Sequence, residues 1–377
     1  MSSSNTPDFQ QAVFVSTAEE FRDFLEFPYK HYSGDKNWVP PLRIMQKHLL
    51  DTKKNPFYKH AEIALFLTYY NGKPAGRIAA IDNKAYNEYN GSKTGFFGFF
   101  ECVDYQGSAN LLFKVAQDWL KDRGLTTFIG PMSPGMLDEI GIQVDGFDHK
   151  PALMMPYSKP YYDKLIQGAG YQKAVDLYAY KVTKETVALA RTEKADEIVR
   201  KRTPGLNVRR INLRRTKKEV EIIHHIFNEA WKKNWGFSRV SLDEFYDLAK
   251  GIKKIIDPDF AHIAEVDGKP VAFSIALPDL NQALQHLDGS LWPTGWMKLL
   301  YHKRKINQIR TALMGVLPEY QKRGIDILLH REAIKNGLGK GFVAAEMSWL
   351  LETNSNMISV AEKIGGYKEK VYRLYQK

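Results

Sequence analysis

The segment 321–326 combines the residue types that bind a phosphate group. It follows a β-rich run that ends in Gly315-Val316-Leu317-Pro318, and it precedes a run with apolar residues at helical spacing. The first amides of a helix lack intrahelical partners, and the helix dipole places partial positive charge there. Lys322 and Arg323 add full positive charges, and Gly324 has no side chain to keep an anion from the backbone. The sequence therefore predicts a pyrophosphate site at this turn.

This arrangement resembles motif A of the GNAT superfamily of acyltransferases, in which a strand ending in Val-x-Pro is followed by Gln/Arg-x-x-Gly-x-Gly/Ala. The run from Val316 to Ile325 carries most of that pattern, and Glu346-Met347-Ser348-Trp349 with the distal Gly366-Tyr367 resembles motif B. The resemblance covers most of residues 216–377. It implies acetyl-CoA or another acyl-CoA as co-substrate, and direct attack on the acyl group by the primary amine of a small molecule or peptide.

The resemblance also implies a role for individual residues. The pyrophosphate would be held at the turn by Gln321, Lys322, Arg323, Gly324, Ile325 and Asp326. The thioester carbonyl would be polarised by the backbone of a splayed strand at Leu313, Gly315 and Val316. The pantetheine arm would be fixed by Asn354 or Asn356.

Two positions depart from the superfamily pattern. Asp326 stands at the final small position of the phosphate loop, where a carboxylate beside a diphosphate costs about 1–2 kcal/mol if it is partly screened. Its carboxylate could instead accept hydrogen bonds from the helix terminus. Glu362 stands where many members have a tyrosine that protonates the leaving thiolate. An alternative function, a non-catalytic acyl-CoA or metabolite-binding protein on the same scaffold, rests on these two positions.

An amine acceptor also requires a base, because an alkyl ammonium has a pKa of about 10 and attacks only after it loses a proton. Glu346 is the candidate, since it ends the strand beside the predicted thioester position. The alternative interpretation of Glu346 is a carboxylate that pairs with a neighbouring arginine or caps the strand end.

The chain repeats one order of motifs. Thr17-Ala18-Glu19-Glu20 and Thr216-Lys217-Lys218-Glu219 both have the pattern of a capping box that opens an amphipathic helix. Asn71-Gly72 and Asp267-Gly268 each separate two β-rich runs, which is the strongest short hairpin signal. Five such pairs recur in the same order at offsets of 196 to 199 residues. The chain is therefore a duplication.

Each half is predicted as helix, hairpin, strand, helix, strand, helix, strand, which indicates an α/β fold with a mixed sheet. We predict two tandem GNAT-like folds: a degenerate domain 1–190, a basic connector 191–215, and a domain 216–377 with the acyl-CoA site. The loop before the first-half helix carries Asp104 and no Lys or Arg, which makes a poor anion site. We therefore expect the first half to have lost cofactor binding and to shape the acceptor cleft.

Composition limits the remaining classes of function. The chain has 377 residues and one cysteine, Cys102, which excludes an intramolecular disulfide and a zinc cluster built on thiolates. Residues 1–11 contain no apolar signal-peptide core, and no apolar run reaches the length of a membrane helix. We therefore predict a cytoplasmic protein without a metal site or membrane association, and with Cys102 in the core.

The net charge of +11 suits polyanionic partners such as nucleic acid, a membrane surface or a phosphorylated cofactor. Segment 191–218 holds eleven Lys or Arg against three Asp or Glu, without the aromatic residues that nucleic-acid readers interleave with charge. We interpret it as a solvated connector. A Fem-like aminoacyl transferase that uses charged tRNA stays open as an alternative function, because the charge permits it. The acceptor's identity, the preferred acyl chain and the oligomeric state are open at this point.

Overall fold

A computed structural model describes residues 12–377, so the prediction about a signal peptide in residues 1–11 lies outside the described residues. The chain forms two compact units. Unit 1 contains the residues up to 176 together with 288–290 and 372–377, and unit 2 contains 177–287 and 291–371. Among the described residues, no helix is both long and apolar enough to span a bilayer.

Unit 1 is a mixed sheet with helices. The helices are α1 (Ala18–His31), α2 (Arg43–Leu49), α3 (Lys84–Asn90), α4 (Gln106–Lys121) and α5 (Tyr162–Gly168). The strands are β1 (Val13–Phe14), β2 (Ala61–Tyr70), β3 (Lys73–Asn83), β4 (Thr94–Cys102), β5 (Thr127–Gly130), β6 (Met132–Ser133), β7 (Glu139–Ile140) and β8 (Ile142–Asp145). Strands β1 to β5 lie side by side in chain order, and the C-terminal residues of the chain pair with β5.

Unit 2 repeats this arrangement. Strand β9 (Gln172–Thr183) enters it from unit 1. The helices are α6 (Leu189–Arg202), α7 (Thr216–Trp231), α8 (Leu242–Ile252), α9 (Asn281–Leu284), α10 (Gly295–Lys303), α11 (Ile325–Gly339) and α12 (Ser355–Lys363). The strands are β10 (Leu206–Arg210), β11 (Ala261–Val266), β12 (Lys269–Pro278), β13 (Gln308–Val316) and β14 (Ala344–Leu351). The last strand, β15 (Tyr367–Gln376), begins in unit 2 and continues into unit 1 from Tyr372. The sheet order is β9-β14-β13-β12-β11-β10. The predicted order of elements in both halves, and with it the mixed α/β class, is confirmed.

An aromatic cluster fills the core of unit 1 between the sheet and α4. Phe97 and Phe100 of β4 contact Phe113 of α4 with ring centroids 5.1 and 4.8 Å apart. All three side chains are buried, as is Cys102 at the end of the strand, where burial raises the pKa of the thiol to about 12. Each buried ring contributes on the order of 2 kcal/mol. The prediction that Cys102 lies in the core is confirmed.

The two predicted capping boxes have different outcomes. The hydroxyl of Thr17 accepts from the Glu20 amide at 3.2 Å, and the Glu20 carboxylate accepts from the Thr17 amide at 2.9 Å. The box at Thr216 is wrong, because Thr216 is already helical and its hydroxyl donates to a carbonyl of the preceding turn. Glu219 accepts from Arg209 of β10 at 3.0 Å instead, so an ion pair replaces the predicted cap.

The predicted basic connector 191–215 contains α6, β10 and a short turn. Strand β10 pairs antiparallel with β11 at the edge of the unit 2 sheet. Val199 of α6 and Leu206 of β10 join a core cluster with Ile325 and Leu328 of α11. A few apolar residues are therefore enough to fold this segment into unit 2, while most of its charged side chains stay at the surface.

Candidate functional site in unit 2

The turn between β13 and α11 presents backbone N–H groups without partners. The Gln321 amide donates to the Pro318 carbonyl at 3.3 Å. The next four amides, those of Lys322, Arg323, Gly324 and Ile325, form no hydrogen bond within the described residues. Unpaired amides at a helix N-terminus form a binding surface for an anion. The arrangement fits the pyrophosphate site predicted from the sequence.

Two cations without counter-ions flank these amides. Lys322 and Arg323 are exposed, and neither forms an ion pair with a described residue. The Arg323 guanidinium lies 4.8 Å from the centroid of the Tyr320 ring, which limits its motion. Both charges are therefore available to a polyanionic ligand.

Gly324 has a structural role in addition to the predicted one at the phosphate site, which stays a prediction. Its φ of 85° lies in the left-handed region, and a Cβ there would meet the Val199 side chain at 2.7 Å. The missing side chain thus makes room for α6, in addition to permitting the backbone conformation.

The Asp326 carboxylate binds its own helix terminus. It accepts from the Ile327 amide at 2.9 Å. Burial raises the pKa of Asp326, while the bonds to the helix amides oppose that change. This hydrogen bond supports the interpretation of Asp326 as an acceptor for the helix terminus over that of a carboxylate directed at the diphosphate.

Strands β13 and β14 separate beyond a short paired stretch. The two strands pair in parallel only where Gln308–Thr311 lies opposite residues 344–347. Ala312 is an extra residue in β13, because Leu313 pairs with Ile275 and Thr311 with Ala276 across β12. A bulge of this kind bends a strand and ends its pairing on one side. The predicted splay at Leu313, Gly315 and Val316 is therefore present, and its cause is a bulge that the sequence did not reveal.

An apolar pocket opens beside the splayed strand. It has a volume of about 60 Å³ and lies between α7, α8 and the sheet. Its lining is mostly hydrocarbon and includes Val220, Ile223, Phe245, Ala249, Ile252, Ile275 and Leu313. Leu313, a predicted thioester neighbour, therefore also lines a space that suits an alkyl chain.

Glu346 lies in a buried network of charges. It is the neighbour of Arg310 across the paired stretch of β13 and β14. Its Oε1 accepts from the Ser348 hydroxyl at 2.7 Å, and its Oε2 accepts from the Lys370 ammonium at 2.7 Å. Arg310 donates to the Ser348 hydroxyl at 2.9 Å. The contacts of Glu346 are therefore those of the alternative interpretation, a carboxylate within an ion pair. The role of Glu346 as a base stays a prediction.

A second carboxylate completes this network. Glu369 accepts from Lys370 at 3.0 Å and pairs with Lys181 at 2.8 Å. Burial alone would raise the pKa of Glu369, but the two lysines outweigh it and lower the pKa. Lys370, which is almost fully buried, thus has two carboxylate partners, as a charge removed from water requires.

The next residues are Asn354 and Asn356, predicted to fix the pantetheine arm, and Glu362, which replaces the tyrosine of the superfamily pattern. The Asn354 side chain accepts from the Met357 amide at 3.2 Å and caps α12, whereas Asn356 is exposed. Glu362 accepts from the Tyr180 hydroxyl at 3.3 Å. Tyr180 comes from β9, so the sequence around Glu362 held no signal that a tyrosine would lie there. The roles of Asn354 and Asn356 stay predictions.

Two curated proteins match nearly the whole chain. Protein YghO of Escherichia coli (strain K12) is 37% identical over 367 residues, which is 95% of this chain and 93% of that protein. The bacterial ceramide synthase of Caulobacter vibrioides is 35% identical over 372 residues, which is 96% of each chain. Matches of this extent place all three chains in one family. No family model matches the chain.

Solved structures match the fold. A tandem GNAT protein from the clavulanic acid biosynthesis pathway has a TM-score of 0.55 at 9% identity, over 97% of this chain and 98% of that one. A glucosamine N-acetyltransferase region of a fungal β-N-acetylglucosaminidase has a TM-score of 0.58 at 16% identity, over 98% of this chain and 38% of that one. At these identities the likeness is one of fold, and it confirms the predicted tandem GNAT architecture.

His330 of α11 generates a test of stability against pH. Burial lowers the pKa of His330 to about 4, and its Nε2 has no partner among the described residues. In the unfolded chain the imidazole of His330 binds a proton near pH 6.5, whereas in the folded chain it binds one only near pH 4. The free energy of unfolding is therefore highest above pH 6.5 and falls as the pH decreases toward 4. Through His330, the wild type should lose about 3 kcal/mol of its free energy of unfolding between pH 7 and pH 4. We expect His330→Leu to abolish this loss, which urea unfolding at the two pH values measures.

The exposed His225 of α7 is the matched control for this measurement. His225→Leu should keep the wild-type dependence on pH. Equal slopes for wild type and His330→Leu would contradict the burial argument.

Proposed function

We propose that this chain, which belongs to one family of tandem GNAT-fold proteins with YghO and the bacterial ceramide synthase, is an acyl-CoA-dependent N-acyltransferase. It transfers a long acyl chain to the primary amine of a long-chain amino alcohol. The fold supports the acyltransferase class. The acyl donor, the chain length and the acceptor are the finer parts of the proposal.

The row of four unpaired amides at 322–325 carries this proposal. Together with Lys322 and Arg323 it forms a donor surface for two adjacent phosphates, which is the part that every acyl-CoA shares. Beyond Thr311, β13 no longer pairs with β14, so a backbone N–H on that side of the strand could donate to a carbonyl oxygen. Acyl-CoA would supply a thioester carbonyl activated toward amines, and the chain would supply binding and orientation.

The apolar pocket has room for a few methylenes, so it supports an acyl chain longer than the acetyl group. Leu313 belongs both to the splayed strand and to the pocket lining, so a chain attached to a carbonyl at this strand has apolar surface to continue along. Each methylene taken from water contributes about 0.8 kcal/mol. The name of the Caulobacter vibrioides relative describes an enzyme that makes a ceramide, the N-acyl derivative of a long-chain amino alcohol.

The first prediction concerns coenzyme A binding. Arg323→Gln should raise the dissociation constant of CoA about fivefold to tenfold, because one exposed charge contributes about 1 kcal/mol to phosphate binding. Isothermal titration at low ionic strength measures it. Arg304→Gln, a substitution at another exposed arginine of unit 2, is the control and should leave binding unchanged. No binding of CoA to the wild-type chain would remove the proposal.

The second prediction concerns chain length. Ala249→Phe fills the apolar pocket, so kcat/KM for hexadecanoyl-CoA should fall at least tenfold, since the loss of two buried methylenes corresponds to about 1.6 kcal/mol. Turnover of acetyl-CoA should stay within about twofold of the wild type. Lys250→Phe, next to it on the exposed face of α8, is the control. A parallel loss with both donors would mean that the pocket does not hold the acyl chain.

The third prediction separates the two interpretations of Glu346. A base would give Glu346→Gln a kcat reduced about 100-fold with unchanged KM and an altered pH profile. A purely structural carboxylate would give a lower free energy of unfolding, by about 3 kcal/mol, and a nearly normal kcat. Lys370→Met is the control, because it breaks the same ion pair without removing the carboxylate. Unchanged turnover in Glu346→Gln would end the assignment as a base.

The alternative of a non-catalytic binding protein is decided by the same variants. The pairing of both carboxylate oxygens of Glu346, with Ser348 and with Lys370, is the observation that favours it. Tight CoA binding that depends on Arg323, without turnover for any amino alcohol, would support that alternative.

A further inference from the structure

Residues 292–305 of unit 2, which we call the α10 surface, expose large apolar side chains to solvent. The segment contains α10 and the turns on either side of it. Five of the fourteen exposed large hydrophobic side chains among the described residues lie here, namely Trp292, Trp296, Met297, Leu300 and Tyr301. Such a concentration of apolar side chains at a protein surface marks a site of contact with a partner.

Helix α10 turns its apolar side chains away from the rest of unit 2. Leu299 and His302, three positions apart, are half-buried and form the inner face, where His302 stacks on His286 with ring centroids 3.8 Å apart. Met297 and Leu300 are exposed on the opposite side of the helix. An amphipathic helix of a globular protein normally turns its apolar stripe toward the core. The outward stripe of α10 is therefore typical of a helix that lies on a membrane interface.

Basic side chains surround the apolar ones. Lys298, Lys303, Arg304 and Lys305 are exposed, and none of them forms an ion pair with a described residue. The segment 292–305 contains no Asp or Glu. The α10 surface is therefore complementary to a partner that presents negative charge and hydrocarbon together, as an anionic bilayer does.

The α10 surface adjoins the end of α8, which lines the apolar pocket. The Lys303 ammonium donates to the Lys254 carbonyl at 3.1 Å. Ile252 and Lys253, at the end of α8, belong to the lining of the pocket. Lys253 and Lys254 are both exposed and extend the positive charge. A bilayer in contact with the α10 surface would thus lie near the pocket that we propose for the acyl chain.

Two other partners fit these side chains less well. Self-association of the α10 surface about a two-fold axis would place the cations of one copy against those of the other. Single-stranded nucleic acid stacks its bases on aromatic rings, but it offers nothing to the aliphatic side chains of Met297 and Leu300. A bilayer interface accommodates aromatic rings at the head groups, aliphatic side chains in the acyl region, and lysines at the phosphates.

We propose that the α10 surface docks unit 2 onto an anionic phospholipid bilayer. The apolar side chains of α10 lie at the boundary between head groups and acyl chains, and its basic side chains contact the lipid phosphates. The prediction of no membrane association rested on the lack of a spanning segment, which a contact of this kind does not require. The docking surface goes beyond the proposed function and depends on neither CoA nor an acceptor.

Co-flotation of the full chain with lipid vesicles, without CoA or an acceptor, tests the inference. Vesicles of phosphatidylglycerol and phosphatidylcholine in equal parts should bind the wild type with micromolar affinity. Vesicles of phosphatidylcholine alone should bind at least about tenfold more weakly, because each basic residue near an anionic surface contributes a factor of about five. Phosphatidylglycerol vesicles whose phosphatidylcholine carries bromine on its acyl chains should quench tryptophan fluorescence, because Trp296 would lie at the boundary of the acyl region.

Two variants of the α10 surface are compared with matched controls. Leu300→Ser should weaken binding to the anionic vesicles about tenfold, because it removes an apolar side chain from the interface. Lys298→Glu should weaken it by about tenfold or more, because it reverses one charge. Leu189→Ser in α6 and Lys335→Glu in α11 change exposed residues outside the α10 surface and should leave binding unchanged.

Thermal unfolding and CoA affinity are measured on each variant, so that a failure of this surface and a failure of the acyl-CoA proposal can be told apart. A wild type that does not float with anionic vesicles, or an equal loss of binding in the variants and their controls, would overturn the inference. So would flotation without quenching by the brominated lipid, since charge alone would then explain the binding. A dimer that forms without lipid and that Leu300→Ser dissociates, with no flotation, would assign the surface to a second copy instead.

Discussion

The clefts of this protein depend on one constraint: two parallel strands that pair at their beginnings separate farther on. In unit 2, β13 and β14 share four residue pairs before the bulge at Ala312 ends their contact. In unit 1, β4 and β5 share three pairs before β4 bulges. Backbone groups beyond these points need partners other than a neighbouring strand. A ligand that brings its own hydrogen-bonding groups can fill that gap.

The duplication has kept this backbone feature and changed the chemistry around it. Unit 2 combines an apolar pocket with amides and cations that have no partners among residues 12–377, and together these match a ligand with phosphates at one end and hydrocarbon at the other. Unit 1 has instead a buried carboxylate, tyrosine hydroxyls and an arginine donor. The two units thus share a backbone feature and differ in the chemical character of the side chains around it.

Buried charged side chains lie where the strands of unit 2 begin to separate. Arg310, Glu346 and Lys370 are all removed from water in unit 2, and each is held by a partner of opposite charge or by a polar side chain. Replacing such a network by apolar residues is often neutral or stabilising in other proteins. Its position at the last paired residues of β13 and β14 suggests that it holds the two strands together where they begin to separate.

The duplication, the order of elements and the turn before α11 could be predicted from the sequence, because they depend on local patterns: Asn-Gly and Asp-Gly turns, apolar periodicity, and a glycine before a helix. The sequence also pointed to the strand at Leu313. Features that depend on residues far apart in the chain became visible in the folded protein. Four such features arise from contacts between separate elements. Glu346 pairs with Lys370, Tyr180 lies beside Glu362, Val199 lies beside Gly324, and Glu219 pairs with Arg209 rather than forming a cap. Local propensity carries no information about such contacts, since each is set by how the sheet and helices pack.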